Sequence, residues 1–103
     1  MTECICASNA NPDESYSWFR NRTFFKSSCF KCLLRCVTTK MGHFKTDGTV
    51  DIDGTVAQYR GVLTKDQVTK CVTPQQNNLD LCDKAYQILL CNEKTIRGTV
   101  VVY

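Results

Sequence analysis

Histidine is nearly missing from this sequence: His43 is the only one in 103 residues. That scarcity removes whole classes of chemistry. A hydrolytic triad needs a histidine beside an activated nucleophile, and no glycine-framed serine follows a strand-like run here. A structural zinc site wants four Cys or His ligands in two close pairs, and His43 stands alone in "MGHF", just past a predicted helix end. Long apolar runs are missing too. The longest stretches are of the size of "ILLC", residues 88–91, far short of the ~20 residues of a membrane span. No segment resembles a secretory leader, so the chain reads as a mature form from which one has been removed, with Met1 an addition. There is no internal repeat, low-complexity segment or linker, and the length suits one domain, 1–103. Finally, no acidic residue occurs between positions 20 and 45, where Arg20, Arg22, Lys26, Lys31, Arg35, Lys40 and Lys45 all fall. Such asymmetry points to an electropositive surface suited to an acidic partner. The plainer reading is a solvated helix face balanced by acids folded against it.

Cysteine is what the sequence has in abundance: eight, at positions 4, 6, 29, 32, 36, 71, 82 and 91. Three uses compete. For zinc, Cys29 and Cys32 offer one hook, Cys4 and Cys6 a poorer one, and the later spacings make no second. For redox work, Cys29-Phe-Lys-Cys32 has the Cys-x-x-Cys spacing, but no β-patterned run precedes it and Cys36 follows one turn later. For disulfides the helical geometry fits. At 100° per residue Cys29, Cys32 and Cys36 fall within about 60° of one another on a helix, while Cys82 and Cys91 lie about 180° apart on theirs. One helix can then be stapled to two neighbours. Disulfides are the reading that survives, and with them an oxidising, extracellular home. "NRT" at Asn21 matches the N-glycosylation acceptor pattern, which belongs to the same compartment.

The secondary structure reads as mainly helical, in about five short helices. Pro12 starts a helix through "DESYSWFR". A second runs over about 25–41 and is closed by Gly42. "TDGTVDIDGTVAQYRGVL" opens with turn residues and then supplies Val50, Ile52, Val56, Tyr59 and Val62 at roughly helical spacing. "TKDQ" at 64–67 is a capping box for a helix that stops before Pro74. A last helix spans 79–91, with Asn77 or Asn78 near its cap. The β-branched tail "TIRGTVVVY" either adds a lone strand or tucks back over the core.

Cys32-x3-Cys36, Cys71 and Cys82-x8-Cys91, together with "DGTVDIDG", "LTKDQVTKC" and "CDKAYQILLC", resemble insect odorant-binding proteins and their salivary relatives. The resemblance covers roughly residues 6–91 and implies an all-α, disulfide-stapled helical bundle. It also implies a pairing: Cys6–Cys36 (or Cys4–Cys36), Cys32–Cys82 and Cys71–Cys91, with Cys4 (or Cys6) to Cys29 as an additional bridge. Carriers of the family enclose an apolar pocket between helices; Tyr86, Leu89, Val56, Tyr59 and Trp18 are the residues placed to line one of ~300 Å³ or more. Shortened salivary members imply a different role. There the apolar tail 100–103 fills the ligand space, and a basic surface binds a host plasma protein, here a component of the classical complement pathway, to inhibit it during blood feeding.

The surface candidates for that partner are Trp18, Arg20, Arg22, Lys26, Lys31, Arg35, Lys40 and Lys45. In "SWFRNRTFF" the aromatic and arginine mixture is that of protein-binding hot spots. It is also that of single-strand nucleic-acid platforms, which an extracellular protein does not need. Phe19, Phe24 and Phe25 read as core. "DGTVDIDG" tempts an EF-hand reading, but with Gly54 at the sixth loop position the first ligand would be Thr49 and the twelfth Arg60, neither of them a carboxylate. Asp51 and Asp53 read as helix caps rather than an acid–base pair. The expectation is a secreted, monomeric, non-enzymatic protein with no cofactor, no metal and no membrane insertion, either the salivary inhibitor or a carrier of small apolar compounds or biogenic amines.

Overall fold

The computed structural model describes residues 12–103, with side chains from residue 16 onward. Among the described residues it forms five α-helices and no strand: α1 Pro12–Asn21, α2 Ser28–Lys40, α3 Ile52–Gln58, α4 Lys65–Val72 and α5 Leu81–Arg97, with a 3-10 turn at Thr73–Gln75. None of these helices is long and apolar enough to cross a membrane. The all-α fold expected from the sequence is the fold found.

The helix ends follow local chemistry where a side chain can reach the first turn. Ser27 caps α2 by accepting from the Phe30 amide, Asp51 caps α3 from the Gly54 amide, and Asp80 caps α5 from the Asp83 amide. At α4 the capping box is complete: the Thr64 hydroxyl accepts from the Gln67 amide at 3.2 Å, and the Gln67 side chain accepts from the Thr64 amide at 2.9 Å. Pro74 sits inside the 3-10 turn that ends this helix. Gly98, at φ +80°, ends α5. The Asp47 carboxylate accepts from the Thr49 amide and closes a turn. In that turn Gly48 has φ +90°, and a Cβ there would stand 2.6 Å from Leu81 Cδ2.

Several boundaries differ from expectation: α3 ends at Gln58, short of Val62, and α5 starts at Leu81 with Asp80, not Asn77 or Asn78, as its cap. α2 starts at Ser28 rather than near Phe25, because the preceding backbone is bonded to the C-terminal tail. The Phe24 amide donates to the Val101 carbonyl and the Lys26 amide to the Tyr103 carbonyl, both at 2.9 Å, and the Tyr103 amide donates back to the Phe24 carbonyl. Phe24 and Val102 form an isolated parallel bridge. At the other end, α5 takes "TIR" from the tail. The Thr95 hydroxyl bonds back to the Cys91 carbonyl, and Glu93 pairs with Arg97 at 2.9 Å across one turn.

α2 and α5 pack along one another and carry two hydrophobic clusters. The first holds Trp18, Phe24, Phe30, Leu33, Leu34, Val37 and Tyr86. The second holds Phe44, Leu63, Val68, Val72, Ala85 and Ile88. Disulfides tie the frame: Cys32–Cys82 joins α2 to the first turn of α5, and Cys71–Cys91 joins α4 to its middle. α5 is thereby held on both sides. Cys36 is also disulfide-bonded, and the expected partners Cys4 and Cys6 lie outside the described residues. The bridge expected from Cys4 (or Cys6) to Cys29 likewise reaches outside the described residues, among which Cys29 has no disulfide partner. In the first turn of α2 it is half-buried against the aromatic cluster and serves as packing. The three α2 cysteines are all half-buried and flank the core stripe of Phe30, Leu33, Leu34 and Val37 instead of forming it.

Candidate functional site

The seam between the two clusters holds a cavity of about 210 Å³. α5 builds one wall with Ala85, Ile88, Leu89, Asn92 and Glu93, positions whose spacing places them along neighbouring sides of one helix. Facing it are Trp18 from α1, Phe44 and Val50 from the loop before α3, and Thr55 and Tyr59 from α3 and its end. Most of the lining surface is apolar, and the polar groups on it include those of Thr38, Thr55, Gln58, Arg22 and Glu93. Trp18 Nε1, His43 Nε2 and both amide atoms of Asn92 are buried without a hydrogen-bond partner among the described residues. Each such group costs ~1–3 kcal/mol in a closed, unsatisfied state, so four on one cavity are a large local deficit. Asn92 is the sharpest case, being fully buried.

The charges beside the cavity are spoken for. Glu93 is buried and pairs with Arg22 at 3.5 Å and Arg97 at 2.9 Å. Arg22 is held at φ +54°, a left-handed conformation uncommon for a side chain of this size. The guanidinium stacks 4.5 Å from the Trp18 ring centre and donates to the Trp18 carbonyl. Arg22, Trp18 and Glu93 thus close one side of the cavity as a unit. Burial raises the Tyr59 phenol above its ordinary pKa, and the Glu93 carboxylate adds to the rise. The Asn92 amide opposes that rise from nearby without reaching hydrogen-bond geometry.

The residues expected to line a pocket divide. Trp18, Tyr59 and Leu89 do so; Tyr86 and Val56 do not. Tyr86 belongs to the aromatic cluster, where Phe24 and Phe30 meet it edge to face. Nor does the tail fill the cavity. Val100 and Val102 pack against the aromatic cluster, and Tyr103 stacks on Phe25 at 5.7 Å. The cavity is smaller than the ~300 Å³ expected of a carrier, and its size suits one substituted ring: a cavity of ~150 Å³ holds benzene.

Part of the basic stretch is spent on neighbours within the fold. Trp18, expected on the surface, is 5 % exposed, because α1 turns it between Arg22 and the core. Lys31 donates to Asp83 at 2.8 Å and lies 5.0 Å from the Tyr86 ring centre. That hydrogen bond raises the lysine pKa and lowers the aspartate pKa. Arg35 reaches the Thr46 carbonyl. Arg20, Lys26, Lys40 and Lys45 are exposed, in the last turn of α1, the segment after it, the end of α2 and the loop beyond. Acids of α5, Asp83 and Glu93, therefore fold against a segment that has none of its own. Phe24 is core and Phe25 half-buried, but Phe19, expected inside, is exposed on α1 beside Tyr16. Asn21 is exposed at the end of α1. Among the described residues no group of His, Cys, Asp and Glu is placed to hold a metal ion.

A model of the PBP/GOBP family matches residues 1–95. The chain belongs to that family. Its members are binding proteins for small ligands, and the helical, disulfide-tied architecture of this chain is the odorant-binding-protein-like one that the cysteine spacings resembled. Neither the curated proteins nor the solved structures contain a match to the chain. Within the PBP/GOBP frame, the residues that sequence reasoning overlooked are Asn92 and the Arg22–Glu93 pair. A signal for the first was present: Asn92 follows Ala85 by seven positions and Ile88 by four, so helical periodicity puts this one amide on an apolar face.

Proposed function

We propose that this PBP/GOBP protein is a secreted carrier that holds one small molecule, the size of a substituted ring, in the cavity between α5, α1 and the α3 region. The observation that supports it most is the set of four unpaired polar atoms on a mainly apolar cavity of about 210 Å³. A core shaped only for stability would fill that space and pair those atoms. Family membership supports the same reading. The disulfides and the sequon at Asn21 support secretion. Trp18, the single tryptophan, lines the cavity and reports occupancy directly. Titrating its fluorescence with single-ring compounds is expected to give saturable quenching. The variant Ala85→Leu, which pushes carbon into the cavity from the α5 wall, is expected to lose about tenfold or more in affinity with its fold intact. A flat titration across amines, phenols, amides and hydrocarbons would leave the carrier reading without support.

A second reading is favoured by a different observation. Tyr16, Phe19 and Arg20 are all exposed on α1, and their spacing of three and four residues puts them on one face. Exposed aromatics beside an arginine have the composition of a protein-binding hot spot. The sequence also resembles the small anti-complement protein of sand-fly saliva. On this reading the chain inhibits the classical complement pathway by docking on a plasma component, through α1 and the exposed Arg20, Lys26 and Lys45. The fully oxidised protein would then block haemolysis in human serum, and the triple change Tyr16→Ser, Phe19→Ser, Arg20→Gln would abolish the block. Inhibition that survives that change would send the search away from α1.

A further inference from the structure

The polar atoms on the cavity differ in what they offer. Trp18 Nε1 can only donate, and Asn92 presents both a donor and an acceptor. A hydrocarbon would leave all of them unpaired. An ion is also a poor fit, because the two charges on the wall, Arg22 and Glu93, already answer each other, and Arg97 holds the second Glu93 oxygen. A cation in the cavity would have to displace Arg22 from Glu93, giving up the guanidinium's stacking on Trp18. An anion would meet the buried Glu93 carboxylate. What remains is a neutral group that accepts and donates at once. The remainder of the ligand would lie against Phe44, Ile88 and Leu89, with the Tyr59 hydroxyl near the Asn92 amide.

Resting on the carrier reading above, we infer that Asn92 is the specificity-determining residue of the cavity and that the ligand class is a neutral, single-ring molecule bearing a carboxamide-like group. The Asn92 amide forms the reciprocal pair of hydrogen bonds with it, and Trp18 Nε1 donates to its carbonyl oxygen. Pairing buried groups that are otherwise unsatisfied gives discrimination that apolar contact alone cannot. The basis of selectivity is then one side chain of α5 and not the overall shape of the cavity.

Four probes of nearly the same shape separate the possibilities: para-methylbenzamide (neutral, donor and acceptor), para-cymene (apolar), para-methylbenzamidine (cation) and para-methylbenzoate (anion). Calorimetric titration of the oxidised protein is expected to give the benzamide an affinity about tenfold or more above that of para-cymene, with both ions weaker than the benzamide. In Asn92→Leu the benzamide advantage is expected to collapse to about twofold or less while para-cymene still binds. The same variant is expected to melt at a higher temperature without ligand, because an unpaired buried amide has gone. Should Asn92→Leu fail to fold, Asn92→Asp keeps the shape and replaces the donor with a second acceptor, and its preference is expected to move to the benzamidine. Para-cymene binding as tightly as the benzamide, or an ion binding best, would overturn the assignment and leave the carrier reading standing. So would a benzamide preference that persists in both variants. Binding of none of the four would overturn both.

Discussion

α5 contributes to two regions that solve the same packing problem differently. Tyr86 points into the aromatic cluster, where Phe24, Phe25 and Phe30 meet in edge-to-face pairs at 5.3–6.3 Å and Phe30 is fully buried. On neighbouring positions Ala85 and Ile88 look into the second cluster, and Asn92 lies one turn further on. Rings fill the first region, and the tail seals it from outside. The second is built mostly from smaller side chains, and where it meets Trp18 about 210 Å³ stays open along the seam, with unpaired polar atoms of Trp18, His43 and Asn92 beside it. Close packing is the ordinary state of a protein interior, so the first region needs no explanation beyond stability. The second departs from that state in volume and in polarity together. The difference teaches where to look for function in a chain this small: at the place where packing was left incomplete.

The contrast can be broken from the filled side. Phe30→Ala is expected to destabilise by ~3–5 kcal/mol, because the surrounding rings cannot collapse into the gap. Denaturant unfolding checks this, and a loss below ~2 kcal/mol would mean that the aromatic end is as loosely packed as the cavity end. The covalent frame comes next. Removing Cys32–Cys82, whose partners are 50 residues apart, is expected to cost ~4 kcal/mol, and removing Cys71–Cys91, 20 apart, ~3 kcal/mol. Paired serine variants compared by thermal melting test the order. An inverted order would show that the constraint acts on the native packing of α4 against α5 more than on the unfolded chain.

The smallest effect sharpens the comparison at the surface that joins α2 to α5. The aspartate of the Lys31–Asp83 pair has its pKa lowered by the lysine hydrogen bond, and the lysine's is raised by the same bond. A depressed carboxylate stabilises the fold above its unfolded pKa, and that contribution disappears as pH falls through the folded value. A raised lysine contributes below its unfolded pKa and stops contributing as pH rises through its folded one. The pair therefore acts between the carboxylate range and the lysine range, and is lost outside both. With both side chains about a quarter exposed, it is worth about 1 kcal/mol or less. Asp83→Asn is expected to remove that amount at neutral pH and nothing measurable near pH ~2, read as melting temperature against pH.

Much of this molecule was legible as a sequence. Thr64 and Gln67 announced α4, Gly42 marked the end of α2, and Asp51 capped α3 as expected of its position. These features act through neighbours three or four residues away, which is why a linear reading reaches them. The start of α2 was not legible, since Phe24 and Lys26 are held by backbone bonds to residues nearly eighty positions later. Trp18 and Phe19 exchanged their expected places, because an α1 of ten residues can bury only one face.

By itself the sequence determined the class of fold, the caps of α3 and α4, the cysteine-rich composition and the family, since each depends on residue type and short spacing. Only the tertiary structure decided that Lys31 and Arg22 spend their charge on α5, and that Asn92, Trp18 and His43 meet around one cavity. Those outcomes depend on which helix faces lie opposite one another. That is settled by the packing of α5 against α2, by the two disulfides that fix it, and by the tail that covers one end and leaves the other open.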